Sequence, residues 1–363
     1  MGLETMSTIP VATADSPSSR AGVGHISCVF RNPRTILTQL AFAYPLRLLA
    51  PRAHSRSAAA YALTFGGGLL SGDRITLNVS LASHTSLALL TQGSTKVFPR
   101  KSTGEAGVSA QTLIATVAAN ALLALLPDPT TLFSGAAYVQ TQTVRCDAGA
   151  SLCLLDWYTC GRASRGERWE FESYETTNEV WVDGACVVRD AWLLEDDDDD
   201  DDGDDGDGDN ADLKENFGEN DAGVKLDPDC ADFHYSRPRR RKRTYAERMG
   251  AYECFANVIL LGPRLERAAQ SVAAAFSGTV ITASGCGLKT SSTTTSTAKN
   301  VPASASPAVA QDLIWSASPI PNCEGGIVVR AASLDTQAMR RFLAEVVLKD
   351  LEVDLGERWF SPT

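Results

Sequence analysis

The sequence predicts a mainly β fold whose few helices come late in the chain. Apolar and polar side chains alternate over residues 75–81 (ITLNVSL), and residues 113–117 repeat the pattern more weakly. Because successive side chains of a strand point to opposite faces, such alternation gives one dry face and one wet face. Glycine-rich turns such as Gly66-Gly67-Gly68 separate short segments. Many strands followed by one or two helices are typical of a β-dominated fold.

A further strand is predicted around residues 165–172, where Trp169 and Phe171 alternate with charged residues. Glu167 and Arg165 would then share the face of the two aromatic rings. An acid among aromatic side chains is costly to bury unless it is paired, so we expect an inward Glu167–Arg165 ion pair. The functional alternative is a carboxylate that lines a polar passage or a binding groove.

The segment 89–98 (LLTQGSTKVF) is predicted to be a strand that is polar on both faces. Thr91 and Thr95 would lie on one face, with Gln92 and Lys96 on the other. This pattern fits a polar interior, a partner surface or an edge strand. The next corner is Pro127-Asp128-Pro129, where Asp128 is suited to capping the turn.

Helical spacing appears only after residue 262. Residues 265–272 carry apolar side chains at helical intervals, and the closing segment repeats them at i, i+3, i+4, i+7 and i+8 from Met339 to Val347. Asp335 is positioned to cap the amino terminus of this amphipathic C-terminal helix.

Charge is concentrated in one part of the chain. The 363 residues include 33 Lys and Arg and 44 Asp and Glu, for a formal charge of -11. The excess acid lies in residues 195–232, residues 237–243 (RPRRRKR) are basic, and the rest is close to neutral. This distribution argues against nucleic-acid binding driven by overall charge. We expect a single domain over 24–360 with a disordered acidic and basic insertion at 195–243, a disordered Ser/Thr-rich loop at 287–310 and a disordered N-terminus at 1–23.

The compartment expected is the cytoplasm, without membrane attachment. No apolar run approaches the roughly 18–20 residues of a membrane helix, and the first twenty residues lack the apolar stretch of a secretory signal. The nine cysteines include no C-x-x-C pair, so we interpret them as reduced thiols. The sequence also lacks a complete phosphate loop, paired histidines, G-x-S-x-G and H-E-x-x-H. We therefore expect a binding or scaffold protein, not an enzyme, and the sequence leaves the identity of any metal ligands open.

Five stretches resemble one family when they are considered together and in order. They are GGLLSGD (67–73), LTQGSTKV (90–97), LLPDP (125–129), DWYTCGR (156–162) and RGERW (165–169). Their order and spacing are similar to those of the UreD family of urease accessory proteins, called UreH in some bacteria. The long insertions fit a eukaryotic member.

The resemblance implies a β-helix-like arrangement of irregular stacked sheets and a non-enzymatic metallochaperone. UreD-type proteins join a UreF-type protein, a UreG-type GTPase and apo-urease to enable GTP-dependent nickel insertion. Nickel would be a transient cargo, and no tightly bound cofactor is expected. The residues at family motif positions become candidates for shaping a nickel passage or an interface: Thr91, Gln92, Thr95, Lys96, Asp128, Arg162, Arg165 and Glu167. No nickel ligand is carried over.

Two alternatives stay open on the sequence alone. The first is a β-rich, carboxylate-dependent hydrolase of the glycosidase kind that uses Asp128, Glu167 or Asp156. Such an enzyme needs two carboxyl groups facing one open cleft. The second is a scaffold that binds urease without contacting nickel.

Overall fold

The computed structural model describes residues 21–51, 56–101, 107–195, 244–278 and 312–362. The predicted insertion after residue 195, the predicted Ser/Thr-rich loop and residues 1–20 lie outside this part of the chain. Within it, seventeen strands form two mixed sheets and the α-helices all follow residue 244. The prediction of a mainly β fold of stacked sheets with late helices is confirmed.

The first sheet has seven strands in the spatial order β14-β13-β11-β8-β5-β1-β2. Their bounds are β1 Val23–Arg31, β2 Arg34–Phe42, β5 Arg74–Leu81, β8 Ser109–Val117, β11 Ala137–Cys146, β13 Ser173–Val182 and β14 Ala185–Glu195.

The second sheet has the order β16-β17-β15-β12-β9-β6-β4-β3, with β10 paired to β12 and β7 paired to β10. Its strands are β3 Leu46–Leu49, β4 Ala58–Thr64, β6 Ser86–Leu90, β7 Thr95–Val97, β9 Leu122–Leu126, β10 Thr130–Leu132, β12 Ser151–Thr159, β15 Cys254–Leu261, β16 Leu313–Pro319 and β17 Ile327–Ser333.

Apart from the short strands β7 and β10, the chain alternates between the sheets from β4 to β13, so that one strand in each sheet completes one coil of a solenoid. Strands of successive coils pair in parallel, as β5 does with β8 and β6 with β9. The inward side chains of the two sheets form the main core, and the alternating residues of β5 are buried as predicted. Strand β9 is buried along its whole length because helices cover its outer face.

The two ends of the solenoid differ. At one end, here called the tight-turn end, four-residue turns connect the sheets at 82–85, 118–121 and 147–150. The third residue of each turn has a positive φ: His84 (64°), Asn120 (62°) and Gly149 (77°). At the opposite end, here called the loop end, the described residues of the longer connections are 65–73, 91–101, 107–108, 127–136 and 160–172. Most of the motif residues therefore lie at or near the loop end.

Four α-helices occur in the described part of the chain. They are α1 Tyr245–Met249, α2 Glu266–Ser277, α3 Thr336–Phe342 and α4 Leu351–Leu355, and a π-helical turn at Leu343–Val347 follows α3. Helix α2 buries Ala268, Ala269 and Val272. The side chain of Asp335 accepts a hydrogen bond from Ala338 N (2.7 Å), which confirms the predicted cap. None of the described helices has the length and apolar character needed to cross a membrane.

Two predicted strands are wrong. Residues 163–165 form a short 3-10 turn, and an irregular loop then runs to β13, which begins at Ser173. Trp169 in that loop has a φ of 56°, outside the strand region, and its amide donates to Cys160 O (2.7 Å). The segment 89–98 is two strands, because β6 ends at Leu90 and Gly93 turns the chain with a φ of 77° before β7.

Candidate functional site

Polar side chains interrupt the buried strands at matching registers in both sheets. Residues opposite each other on paired strands are close neighbours, so matching registers place polar groups in rows. In the first sheet one row is Gln111, Gln140 and Thr176, and the next is Gln142, Asn178 and Asp190. In the second sheet the row is Asp156, Asn257, Arg330 and Ser316. The two sheets thus enclose a polar layer within an otherwise apolar core.

Asp156 joins these rows across the space between the sheets. Its Oδ1 accepts a hydrogen bond from Gln140 Nε2 (2.9 Å). Its Oδ2 accepts from Thr176 Oγ1 (2.9 Å) and Asn178 Nδ2 (2.8 Å). Burial raises the pKa of Asp156, and these three hydrogen bonds oppose the shift without cancelling it. The carboxyl group is therefore fixed in position and costly to ionise.

Three tyrosines surround this carboxyl group. The rings of Tyr138 and Tyr174 are stacked with centroids 6.0 Å apart, and Tyr158 lies 4.7 Å from Tyr174. The Tyr138 hydroxyl lies 3.1 Å from Gln111 Oε1 and 3.1 Å from Gln140 Oε1. The Tyr158 hydroxyl is buried and has no hydrogen-bond partner among the described residues. Such an orphaned polar atom marks a place where a water or a ligand can bind.

Asp190 stands closer to the protein surface, at the open edge between β14 and β16. It accepts hydrogen bonds from Asn257 Nδ2 (2.5 Å) and Trp192 Nε1 (2.9 Å). Arg330 completes an ion pair with it (2.6 Å) and is itself 47% exposed. The neutral pair screens the edge of the polar layer from solvent.

Three cavities follow the polar layer from one side of the fold to the loop end. The lateral cleft, of about 280 Å³, is lined by Asp156, Tyr158, Asp190, Asn257, Ile314 and Arg330 among others. The inner cavity, of about 60 Å³, shares Asp156 and adds Gln140, Gln142, Thr91, Thr95 and Gln111. The loop-end opening, of about 80 Å³, shares Thr91, Thr95 and Gln111 and reaches Gln92 and Gly67. Each cavity thus shares at least one wall residue with the next.

Thr91, Gln92 and Thr95 are the predicted residues that line these cavities. Thr91 and Thr95 face both the inner cavity and the loop-end opening. Lys96, on the same short strand as Thr95, is exposed. Its carbonyl accepts from Leu69 N (2.8 Å), so its backbone joins two loops of the loop end.

Asp128 organises the loop end without lining these three cavities. Its amide donates to Thr91 Oγ1 (2.8 Å), and its Oδ2 accepts from Gly93 N (2.8 Å). Its other oxygen pairs with Arg340 of α3. Asp128 thus caps the turn at Gly93, and not the Pro127-Asp128-Pro129 corner that the sequence predicted it to cap.

Arg162, Arg165 and Glu167 form a separate group in the loop before β13. Glu167 pairs with Arg162, whose Nε donates to Glu167 Oε2 (2.7 Å), and not with Arg165 as predicted. The reason is the 3-10 turn, which brings residues 162 and 167 together and leaves Arg165 exposed. The Arg162 guanidinium also lies 4.1 Å from the Phe133 ring centroid. This hydrogen-bonded ion pair lowers the pKa of Glu167.

The polar layer itself was missed by sequence reasoning, apart from Asp156 as a candidate of the hydrolase alternative. A weak signal was available, since Asp156 interrupts the apolar run SLCLLDWY and Asn257 interrupts FANVILL. A single polar residue in a buried strand requires a partner. The partners lie on strands distant in sequence, so their identity depends on the pairing of the sheets.

The donor chemistry of the site is carboxylate, amide and hydroxyl oxygen. Within the described ranges, no cluster of three or more His, Cys, Asp or Glu residues could hold a metal ion. Burial raises the pKa of the Cys153 thiol to about 12, and the pKa values of Cys28 and Cys146 are also raised to about 12. These thiols therefore stay protonated at neutral pH when no metal ion is bound.

Comparison with known proteins places the chain in a family. Residues 21–208 match the family described as UreD urease accessory protein. The urease accessory protein UreD of Anaeromyxobacter sp. (strain Fw109-5) is 41% identical over 175 residues, which cover 48% of this chain and 58% of that protein. Urease accessory protein D of Oryza sativa subsp. indica is 37% identical over 188 residues, or 51% of this chain and 60% of the rice protein.

A longer match is found with the urease accessory protein UreD of Sorangium cellulosum (strain So ce56). It is 32% identical over 257 residues, which cover 71% of this chain and 67% of that protein. The chain thus spans about three fifths of the length of the Anaeromyxobacter and rice relatives and two thirds of the Sorangium one. On the family match and this longer relative, the chain belongs to the UreD family of urease accessory proteins.

Proposed function

We propose that this protein is a urease maturation chaperone that conducts Ni²⁺ through the polar layer between its two sheets. The observation that carries the proposal is Asp156, a buried carboxyl group that lines both the lateral cleft and the inner cavity. The relatives named as urease accessory proteins support the biological setting. The expected partners are apo-urease, a UreF-type protein and a UreG-type GTPase, in the cytoplasm.

The residues that line the three cavities suit an ion that is bound weakly and moves on. Nickel prefers imidazole and thiolate ligands, whereas oxygen ligands bind it more weakly. Both oxygens of Asp156 are already engaged by neutral donors, so a hydrated ion would meet this residue through its water shell. An inner cavity of about 60 Å³ has room for a few water molecules. Weak contacts of this kind lower the barrier to entry without creating a trap.

The chain itself supplies the path, and the energy for directed transfer comes from its partners. We place GTP hydrolysis on the UreG-type GTPase. The lateral cleft and the loop-end opening are the two ends of the proposed path, so one end would face the nickel donor and the other apo-urease.

The first test is urease maturation in cells that lack this chain. Urease protein, its bound nickel and its activity are measured together. Urease that is present, inactive and nickel-free supports the proposal. Active, nickel-loaded urease in these cells refutes a maturation role.

The passage is tested by filling it. Thr95→Leu adds an apolar side chain where the inner cavity meets the loop-end opening, and Thr116→Leu makes the same substitution at an exposed position of β8 that lines none of the three cavities. We expect Thr95→Leu to assemble with its partners but to leave urease low in nickel, while Thr116→Leu matures urease normally. Normal nickel loading by an assembled Thr95→Leu variant would instead favour a scaffold that does not contact the ion.

The hydrolase alternative has one specific observation in its favour. The lateral cleft holds two carboxyl groups, Asp156 and Asp190. Each one accepts three hydrogen bonds from protein side chains, whereas an acid catalyst must present an oxygen to its substrate. Asp128 and Glu167, the other two candidates, are paired with Arg340 and Arg162. Glycosidase activity of the purified chain that Asp190→Asn abolishes would favour this alternative over the chaperone.

A further inference from the structure

A second polar cleft lies at the tight-turn end of the solenoid. Its volume is about 510 Å³, and its lining residues include Arg56, His84, Ser86, Asn120, Arg264 and Asp354. It shares no lining residue with the three cavities of the polar layer. Six of the lining side chains can donate hydrogen bonds, and only one carries a carboxyl group, a composition suited to an anion.

Arg264 is held rigidly at one wall of this cleft. Its amide donates to Ser151 Oγ (3.1 Å), Nη1 donates to Ser86 Oγ (2.7 Å), and Nη2 donates to the main-chain oxygen of Asp354 (2.7 Å). These partners are neutral, so they orient the guanidinium without cancelling its charge. Burial lowers the pKa of Arg264, which reflects how poorly solvent compensates that charge, and the nearby Asp354 partly opposes the shift.

His84 and Asn120 contribute a second wall through the stacked turns. Both occupy the third position of a four-residue turn, with φ values of 64° and 62°, in successive coils. Leu122 N donates to Thr85 O (2.8 Å), which fixes one turn against the next. The two side chains therefore project from adjacent coils, and the His84 ring lies 6.1 Å from the ring of Phe30.

Arg56 faces the cleft from a third direction, the connection before β4. Its carbonyl accepts from Thr35 N (2.9 Å), which ties this connection to β2. In the part of the chain that the structure describes, Arg56 forms no ion pair. Two guanidinium groups thus face one carboxyl group, that of Asp354.

We propose that this cleft binds an inorganic or organic phosphate group that carries a proton. Donors from three directions match a tetrahedral oxyanion better than a planar carboxylate, and guanidinium groups bind phosphate oxygens through paired donors. Asp354 supplies an acceptor for a protonated phosphate oxygen. Sulfate has no proton at neutral pH, so the same carboxylate repels it.

A bound phosphate would join parts of the fold that are distant in sequence. Arg56 belongs to the connection before β4, His84 to a coil turn, Arg264 to the turn before α2 and Asp354 to α4. The ligand would therefore tighten the packing of α4 against the tight-turn end. This role is independent of nickel transfer.

The test is isothermal titration of the full chain with inorganic phosphate and, separately, sulfate at one ionic strength. We expect phosphate to bind and sulfate to bind about tenfold more weakly or worse, because a polar group left unpaired or repelled is costly. Arg56→Gln should weaken phosphate binding about tenfold, and Asp354→Asn should narrow the difference between the two anions. Arg34→Gln, an equal change of charge on a residue outside this cleft, should have little effect.

Several results would overturn the proposal. They are absence of phosphate binding at millimolar concentrations, equal losses in Arg56→Gln and Arg34→Gln, or equal affinity of the wild type for phosphate and sulfate. Hydrogen exchange gives an independent measurement, because phosphate should slow exchange of amides in 351–356. Phosphate binding without such protection would place the ligand elsewhere and also overturn it. Thermal unfolding of each variant without phosphate controls for loss of the fold.

Discussion

Arg340 of α3 forms an ion pair with Asp128 at the loop end of the solenoid. Its guanidinium also lies 5.3 Å from the ring centroid of Trp157 and 5.2 Å from that of Phe360. Asp128 in turn accepts from Gly93 N, so one carboxylate links the C-terminal helices to the turn beside the loop-end opening. The position of the C-terminal segment is thereby coupled to the walls of the proposed passage.

The first prediction concerns this ion pair. Asp128→Asn removes the charge that faces Arg340, and the two side chains are only 21% and 23% exposed. Hydrogen bonds to charged groups contribute about 1.5–3 kcal/mol, so we expect the free energy of unfolding to fall by about that amount. Urea denaturation measures it. As a control, Glu352→Gln breaks the exposed pair with Arg358 and should cost less than about 1 kcal/mol. Equal losses of unfolding free energy in the two variants would show that the Asp128–Arg340 ion pair stabilises the fold no more than an exposed ion pair does.

The second prediction concerns the pH dependence that Asp156 confers on stability. Burial raises the pKa of Asp156 in the folded protein, so the folded state holds this proton more tightly than the unfolded state. The protein should therefore lose stability as pH rises from the unfolded carboxyl pKa, about 3.9, up to the folded value. The asparagine of Asp156→Asn cannot titrate, so the unfolding free energy of this variant should lack this part of the pH dependence. The measurement is the difference in unfolding free energy between wild type and variant across pH. A constant difference would mean that Asp156 keeps an ordinary pKa.

Glu167 gives a third prediction, of opposite sign. The hydrogen bond from Arg162 lowers the pKa of Glu167, although partial burial opposes the shift. The ionised Glu167 side chain contributes its full stabilisation of the fold above the pKa of an unfolded-state glutamate. This stabilisation is lost as pH falls through the lower pKa of Glu167 in the folded protein. Glu167→Gln should be less stable than the wild type near neutral pH and should lose less stability on acidification. Acid-unfolding curves of both proteins provide the comparison.

The Glu167→Gln variant also tests whether Glu167 only stabilises its loop or takes part in nickel transfer. Glu167 does not line the three cavities of the polar layer. We therefore expect Glu167→Gln to deliver as much nickel per assembled complex as the wild type does. A complex that assembles fully but leaves urease without nickel would place Glu167 on the path and would require the passage to be redrawn.

Local periodicity accounts for the parts of the fold that sequence predicted well. The alternation over 75–81 became β5, and Asp335 became a helix cap, because each pattern acts within a few residues. The same logic failed at Trp169, where a period of two occurs in an irregular loop. There a hydrogen bond from Trp169 N to Cys160 O fixes the conformation. The alternation of apolar and charged residues does not predict such a hydrogen bond.

The polar layer was less predictable because it depends on contacts between strands that are distant in sequence. Asp156 on β12 contacts Gln140 and Asn178 only because β12 in the second sheet faces the paired strands β11 and β13 of the first sheet. Thr91 and Thr95 were identified through their motif, and the structure adds that they face the same cavities. The motifs thus pointed to two residues that line the cavities, whereas the hydrogen-bond partners of Asp156 become evident only from the pairing of the strands.

The last prediction concerns two glycines at the tight-turn end, Gly262 and Gly149. Both have positive φ, 93° and 77°, which costs an alanine about 1–2 kcal/mol. A Cβ at Gly149 meets no atom within 4 Å, whereas a Cβ at Gly262 would lie 2.1 Å from Ala150 O and 2.6 Å from Ser151 Cα. We therefore expect Gly149→Ala to cost about 1 kcal/mol, and Gly262→Ala to cost about 3 kcal/mol or more because backbone must move.

Chemical denaturation of the two variants in parallel measures this difference, to which the extended ψ of 162° at Gly262 adds backbone strain. The packing of Gly262 against the turn at 147–150 also positions Arg264, whose amide donates to Ser151 Oγ. Gly262→Ala should therefore weaken phosphate binding as well as the fold, while Gly149→Ala should affect binding less. Equal destabilisation by the two substitutions would show that the close approach at Gly262 relaxes easily, and the rigid placement of Arg264 would then need another explanation.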